Sequence, residues 1–517
     1  MASFSPYFEK QLKLTARADH PNSVSKEAAK YPCFKLVLNH NWNDYGYYTW
    51  FTMWYVPIEG ERALVGDMKI MNKAGDAYSM MDGSFSKLSD DFCSVGMDTS
   101  FYMRMKKLLG SSRSNMVLRA LRDCATNLQI YESFNSLPAF IDSLGRDIAT
   151  QKAIKEARFL LEGRNMSEAY SFDYSFTPIY NKEVTAVWNV SLEYGCHSYK
   201  RTYSVIGENG VGKTQLMANM VKDLLYSEVR NMNRVPMISS VMMICSSEFD
   251  AYKEINTDNA RIPAVVCDVV QSDNTSDKLE NAINTIITRG TYYADGEMLL
   301  MSDRYKAVLH SQLGACADDV ITVEEMNDAD CATVERKMFP NKSRLEKLVT
   351  ELSTGQLQIF SLITYVCANI HLNSLIVIDE PEVHLHPRLV TNFIKALNEL
   401  LERFDSYAII ATHSPLVVRE CVRKNVYIMV RSKDNVPTIG TVAFDTFGED
   451  LSLLYQNIFG CDERDSYFYN VVKEQAEKLR RNSYEEVMRN FKKADVNLPL
   501  NGRMVVRDYF DSREEGL

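Results

Sequence analysis

Apolar and polar positions alternate along residues 32–72, as in Phe34-Lys-Leu-Val-Leu and through Tyr47–Val56. A two-residue period puts every second side chain on one face, so this stretch predicts two or three β-strands in an antiparallel ribbon. From about Ser89 to Gly163 the apolar residues fall three and four apart, most clearly in Met116–Leu128 and Ile148–Leu161, which predicts helices. Strand character returns over 170–206 and ends in Tyr203-Ser-Val-Ile, directly before a glycine-rich loop. A helix is expected through Leu216–Tyr226, then a buried strand at Val241–Cys245. Residues 256–341 read as an insertion of polar helices and Asp- and Asn-rich turns. Sharp motifs crowd into Leu348–Glu420, and the last eighty or so residues read as mainly helical and charged. No internal repeat stands out.

Composition narrows the class. Of 517 residues, 46% are hydrophobic and 24% charged, ordinary values for a chain that buries a large core. The net charge of −10 argues against broad coating of nucleic acid but leaves room for a local basic patch. Apolar runs such as Leu375–Ile378 are too short to span a bilayer, and Met1–Lys10 lacks an apolar signal core. No membrane association and a cytoplasmic location are therefore expected. The eleven cysteines are scattered from Cys33 to Cys461 without a CxxC pair, which predicts reduced and mostly buried thiols.

Four motifs carry chemistry. Gly207-Glu-Asn-Gly-Val-Gly-Lys213-Thr214 matches G-x-x-x-x-G-K-S/T between a predicted strand and a predicted helix. Loop residues Gly207, Asn209, Gly210 and Gly212 let backbone N–H groups turn inward around phosphates, helped by the helix dipole. Lys213 reaches the β- and γ-phosphates and Thr214 offers a Mg²⁺ ligand. Leu375-Ile-Val-Ile-Asp379-Glu380 is a continuous apolar run ending in two carboxylates, the pattern of a fully buried parallel strand. There Asp379 would hold Mg²⁺, and Glu380 would polarise water as general base. Leu352-Ser-Thr-Gly-Gln356 opens a helix, where Ser353, Gly355 and Gln356 form either a second anion site or a plain N-cap. Ala411-Thr-His413-Ser-Pro follows the apolar strand Tyr407–Ile410, and His413 at its end is either a functional group or a capping or core residue.

In this order the motifs are identified as those of ABC-type P-loop ATPases. That resemblance implies ATP and Mg²⁺ as cofactors, Ser353 in the signature sequence, and His413 as the switch histidine that senses the γ-phosphate. It also implies a head-to-tail dimer, in which the signature of one subunit caps the ATP held by the other. The string Asp379-Glu-Pro-Glu382-Val-His-Leu-His386-Pro387 resembles the soluble branch that includes OLD-family, RecF-like and phage-defence ATPases. The likeness covers roughly Tyr203–Glu420. Ser246–Asp250 stands where that class carries a glutamine after a strand. No D-x-D pair of a Toprim nuclease and no H-N-H metal finger is recognisable.

The layout is similar to the ATPase subunit of Septu-type antiphage systems, a type also found beside retron reverse transcriptases. The fold expected is α/β: an ABC-type P-loop core with a β-rich N-terminal lobe, helical insertions and a helical C-terminal tail. Residues 1–88 would be the β-rich part of the ATPase lobe, 89–165 a helical insertion, and 166–255 the P-loop part. Residues 256–345 would be a second insertion, 346–435 the signature, Walker B and H-loop part, and 436–517 the helical C-terminal region. The resemblance implies a regulatory ATPase that assembles as dimers, or a higher oligomer, and holds an HNH-type nuclease. In the retron case the partners include a reverse transcriptase and its RNA–DNA product. The alternative is a RecF- or SMC-like DNA repair ATPase, although no long heptad arm is present. A non-hydrolysing ATP-bound scaffold is also compatible with the motifs, and the P-E-x-x-L-H-P continuation argues against a transporter subunit.

Two surfaces invite contact. Phe101–Asp123 holds Arg104, Lys106, Lys107, Arg113, Arg119 and Arg122 against one acid, which makes either a nucleic-acid contact or a solvated helix face. Tyr467–Lys493 interleaves apolar residues with charges, as a partner-docking helix or a tail packed on the core would.

Overall fold

The computed structural model describes residues 13–17, 31–39, 44, 46–75, 84–226, 231–245, 255–257, 260–269, 274–289, 291–294, 297–314, 319–327, 334–383, 385–459, 467–478 and 483–514. Two large β-sheets organise them. The first uses β1 (Lys13–Arg17), β2 (Cys33–Leu38), β3 (Trp50–Val56), β4 (Ala63–Asn72), β5 (Ser84–Phe85) and β6 (Phe92–Gly96), in the order β5-β1-β2-β3-β4-β6. The ribbon predicted over 32–72 is its antiparallel β2-β3-β4 portion. It is widened by β1, parallel to β2, and by β6, antiparallel to β4. Alternation turns Phe34, Leu36, Phe51, Met53, Met68 and Ile70 into one core. The helices Thr99–Leu109, Ser111–Ala120 and Ile148–Glu162 close that core with Phe101, Tyr102, Met105, Val117, Leu118, Ala153 and Ala157.

The hairpin β7 (Phe172–Phe176) and β8 (Ala186–Val190) leads into the second sheet. That sheet comprises β9 (Thr202–Ile206), β10 (Ser240–Cys245) and β11 (Ala264–Asp268), followed after two further hairpins by four later strands. The hairpins are β12 (Thr291–Ala294) with β13 (Glu297–Leu300), and β14 (Ile321–Asn327) with β15 (Val334–Pro340). The later strands are β16 (Ser374–Asp379), β17 (Tyr407–Thr412), β18 (Val426–Arg431) and β19 (Pro437–Thr441). Their order is β11-β10-β16-β17-β9-β18-β19, every neighbour parallel except β18 and β19.

The inner strands are buried on both faces, which explains their unbroken apolar runs. Leu375, Val377, Ile409 and Ala411 pack on the side of the helix Lys213–Tyr226. Ile376, Ile378, Ala408 and Ile410 pack toward the helices Thr354–Asn369 and Pro387–Arg403. Each such aliphatic side chain contributes about 1.5–3 kcal/mol when fully buried. The fold is therefore α/β, a parallel-rich P-loop core with a β-rich N-terminal lobe and added helices.

The stretch 256–341 holds two of the expected helices, Thr275–Thr288 and Met301–Leu313, but also strands that its sequence reading did not include. Its segment Ala264–Asp268 joins the main sheet as an edge strand, and two hairpins follow. Ala264–Asp268 is a largely apolar run of only five residues, too short for its period to separate strand from helix. At the other end, Tyr467–Lys478, Tyr484–Lys493 and Leu500–Glu514 close over a small cluster of their own, Val472, Val487, Leu498 and Val506. Eight cysteines among the described residues are free and buried. No helix among them is long and apolar enough to cross a membrane.

The N-terminal lobe docks through the helix Ile148–Glu162. Buried Glu156 accepts hydrogen bonds from the Tyr170 hydroxyl, from Tyr194 Oη (2.9 Å) and from Asn373 Nδ2 (2.8 Å). One turn earlier, Lys152 Nζ meets Asp405 at 2.5 Å, and the same carboxylate takes Arg201 Nη2 at 2.8 Å. Arg201, Asn373 and Asp405 immediately precede or adjoin the N-terminal ends of β9, β16 and β17. The lobe thus grips the edge of the core opposite the motif loops.

Two buried groups respond to acid with opposite signs. Burial, helped by Arg289, pushes His371 down to about 4. Burial pushes the Asp123 carboxyl up to about 6, against the opposing hydrogen bonds from Tyr102 and Thr126. Between pH 7 and 5 the unfolded chain protonates His371 and the folded chain does not, which removes about 1–2 kcal/mol of stability. Over the same interval the folded chain protonates Asp123 first, which adds about as much. Relative to pH 7, His371→Gln should therefore melt higher at pH 5 than the wild type does, and Asp123→Asn lower. Indistinguishable pH responses of the three melting temperatures would refute this.

Candidate nucleotide site

β9 delivers the chain into the glycine loop. A Cβ at Gly207 would lie 2.3 Å from the Met429 carbonyl oxygen on β18, so only glycine fits there. Gly212 has φ +105°, in the region that favours glycine, just before the helix Lys213–Tyr226 starts. Lys213 is buried, and its ammonium donates to the carbonyls of Gly207 (2.9 Å) and Glu208 (3.0 Å). Burial pushes the Lys213 pKa down, while Glu380, Asp379 and Glu382 pull it back. Phosphate oxygens arriving in the loop would replace two weak carbonyl acceptors with charged ones. Asn209 and Gly210 lie at the exposed turn of the loop.

Beyond the loop, Tyr180 donates from its hydroxyl to the Val211 carbonyl at 3.1 Å. The Arg431 guanidinium sits 4.1 Å from the Tyr180 ring centroid. Neither residue was singled out in the sequence, because one aromatic in a turn and one arginine at a strand end carry no local pattern. Tertiary structure puts this stacked pair against the loop.

β17 separates β9 from β16, in a register that pairs Asp379 with Ala411 and Thr412 with Ile206. The three strand ends therefore open side by side. Thr214 Oγ1 donates to Asp379 Oδ2 at 2.8 Å, a hydroxyl and a carboxylate that together suit a hard cation such as Mg²⁺. Glu380 has φ +47°, uncommon for a residue with a side chain, and its N–H still reaches the Ala411 carbonyl at 2.8 Å. Such a conformation costs about 1–3 kcal/mol and concentrates at functional sites. It turns the half-exposed Glu380 side chain over the strand ends, with Oε1 3.6 Å from His413 Nδ1.

Residues 306–419 match the family described as "AAA domain, putative AbiEii toxin, Type IV TA system". The matched segment contains the signature, Asp379, Glu380 and His413. Over that segment the chain is similar to this ATPase family. Over 507 residues it is 23% identical to "Protein ea59" of Escherichia phage lambda, covering 92% of this chain and 94% of that protein. A structure of an Smc head bound to the C-winged helix domain of ScpA covers 53% of this chain and 97% of its own, at 10% identity and TM-score 0.30. A nucleotide-free ATP-binding cassette from an ABC transporter covers 57% and 96%, at 16% identity and TM-score 0.28. TM-scores that low leave the fold to be read from sheet order and motifs.

In this P-loop core one motif stands apart. Ser353 is exposed and caps its own helix, Thr354–Asn369. Its Oγ accepts from Gln356 N at 3.3 Å, while Gln356 Oε1 accepts from Ser353 N at 3.0 Å. Gly355 is buried behind them. Within one chain these three residues share no hydrogen bond with Lys213, Thr214, Asp379, Glu380 or His413 among the described residues. The N-cap reading describes the single chain.

A residue that sequence reasoning quoted but gave no role, Glu382, sits at the centre of the strand ends. Its Oε1 accepts from Thr412 Oγ1 (2.5 Å) and His413 N (2.9 Å). The signal was present in the D-E-P-E string, but its target lies thirty residues away in sequence.

The basic stretch 101–123 is largely spent inside the chain. Arg104 Nε donates to the Val65 carbonyl, Lys106 Nζ to Leu160, and Arg122 Nε to Phe92. Lys107 and Arg119 remain exposed. His386 caps the helix Pro387–Arg403 through Nδ1, a structural role. Ser246–Asp250 lies outside the described residues. Among the described residues no group of three His, Cys, Asp or Glu side chains is arranged to hold a metal ion.

Proposed function

We propose that this protein is an ATP-binding and hydrolysing regulator that works as a head-to-tail dimer with two shared nucleotide sites. The observation that carries the reading is a division of parts. Lys213, Thr214, Asp379, Glu380 and His413 meet at the strand ends, while the exposed Ser353 meets none of them. A second copy must bring Ser353, Gly355 and Gln356 to the phosphates. In this reading Gly207–Thr214 and Lys213 take the phosphates of ATP, and Thr214 with Asp379 holds Mg²⁺. Glu380 is the general base and His413 contacts the γ-phosphate. The same reading makes the ATPase one part of an assembly of the Septu type, with an HNH nuclease as the controlled partner. The D-E-P-E-x-x-L-H-P string and the appended helices Tyr467–Glu514 support that part.

Light scattering tests the shared site. With Mg²⁺ and ATP the wild type should double its mass, while Ser353→Arg should stay monomeric at an unchanged ATP affinity. Losing the cap costs about 1 kcal/mol of stability, which a thermal melt separates from the association defect. A wild type that stays monomeric with ATP at every concentration would rule out the sandwich.

A further inference from the structure

We infer that Glu382 is a positioning residue for His413 and links it to the signature helix of its own chain, an inference that rests on the ATPase reading above. The end of β17 hangs on a single carboxylate oxygen. Glu382 Oε1 takes Thr412 Oγ1 at 2.5 Å and His413 N at 2.9 Å, and Ser414 N donates in turn to Thr412 Oγ1 at 2.9 Å. The same oxygen stands 3.4 Å from His413 Nδ1. The backbone of the histidine is therefore held by Glu382, and its ring nitrogen lies nearer to this carboxylate than to Glu380 Oε1 at 3.6 Å.

A neutral acceptor would satisfy Thr412 and the His413 amide equally well. Instead the position holds a carboxylate that is only 8% exposed, whose Oε2 is buried and takes no hydrogen bond from the described residues. Keeping a charged oxygen there is unfavourable for folding alone. It is favourable if the carboxylate must hold an imidazole N–H, fixing the tautomer and leaving Nε2 to face the nucleotide.

The other end of the link is Gln358, buried on the helix Thr354–Asn369. Its Nε2 donates to the Pro381 carbonyl at 3.3 Å, one residue before Glu382. The helix capped by Ser353 thus bears directly on the turn that carries Glu382. A displacement of that helix by a second subunit reaches the imidazole through one hydrogen bond, one peptide and one carboxylate. Glu382 makes this connection through its bonds to Thr412 and the His413 amide, which makes it a positioning residue and not a catalytic one.

Two measurements on the full chain test the inference. In ¹⁵N-histidine spectra, the His413 ring signals, assigned by their loss in His413→Ala, should move in Glu382→Gln toward a mixture of tautomers. Unmoved His413 signals would overturn the inference whether or not the protein hydrolyses ATP. In phosphate-release assays Glu382→Gln should lower kcat about 10- to 100-fold with little change in KM for ATP. The double variant Glu382→Gln/His413→Ala should be no slower than His413→Ala alone, since both remove one unit. Fully additive losses would also overturn it. A wild type that releases no phosphate would instead remove the ATPase reading, and the ring signals would still decide the role of Glu382.

Discussion

Glu380→Gln should slow steady-state ATP hydrolysis about 10²- to 10⁴-fold, the contribution of a positioned general base. The substitution keeps the shape of the side chain and removes only its capacity to take a proton. It should not disturb the fold, because the backbone at φ +47° is held by the Glu380 N–H bond to Ala411, which glutamine makes equally well. Nucleotide binding should survive, since Lys213 and the Thr214–Asp379 pair are untouched. ATP should therefore accumulate in the sandwich, and the dimer should outlast that of the wild type in light scattering. Phosphate release at close to the wild-type rate would show that Glu380 is not the base.

Lys213→Ala should weaken ATP binding roughly 10- to 100-fold or more, the loss of charge-assisted contacts of about 1.5–3 kcal/mol each. Among the described residues Lys213 donates two hydrogen bonds, to the carbonyls of Gly207 and Glu208. Burial already disfavours its charge, so removing it should leave the melting temperature near that of the wild type or slightly raised. The informative result is the contrast. Without ATP the variant should melt like the wild type, and only the wild type should be stabilised strongly when ATP is added. Titration calorimetry with a slowly hydrolysed ATP analogue gives the affinity directly. Equal affinities would place the phosphates elsewhere.

The two experiments separate binding from turnover, which the motifs alone do not. A scaffold that keeps ATP as a structural ligand would lose affinity in Lys213→Ala yet show no rate to lose in Glu380→Gln. A hydrolysing regulator responds to both.

Much of this site was legible along the chain because each motif is local. A strand, a glycine loop and a helix start lie within a dozen residues at Gly207–Thr214, and the backbone geometry that cradles phosphate follows from those residues. The apolar run ending at Asp379 is likewise local, since a strand buried on both faces has no polar position to alternate. What stayed hidden was pairing across distance. The six-stranded N-terminal sheet draws strands from Lys13 to Gly96, and its parallel β1-β2 pair has no signature in either segment. The edge strand Ala264–Asp268 was lost in a polar stretch for the same reason. The basic run 101–123 reads as either a nucleic-acid contact or a solvated helix face, yet Arg104, Lys106 and Arg122 turn inward to carbonyls that sequence cannot place.

The sequence by itself determined the candidates for the proposed nucleotide chemistry: which residues could face phosphate, metal and water, and in what order along a P-loop core. Only the tertiary structure decided how they meet. It set β17 between β9 and β16, brought Thr214 to Asp379, hung His413 on Glu382 and left Ser353 alone at the surface. The physical reason is that strand order and side-chain contact depend on packing between segments far apart in the chain, whereas loops and buried strands are written in consecutive residues.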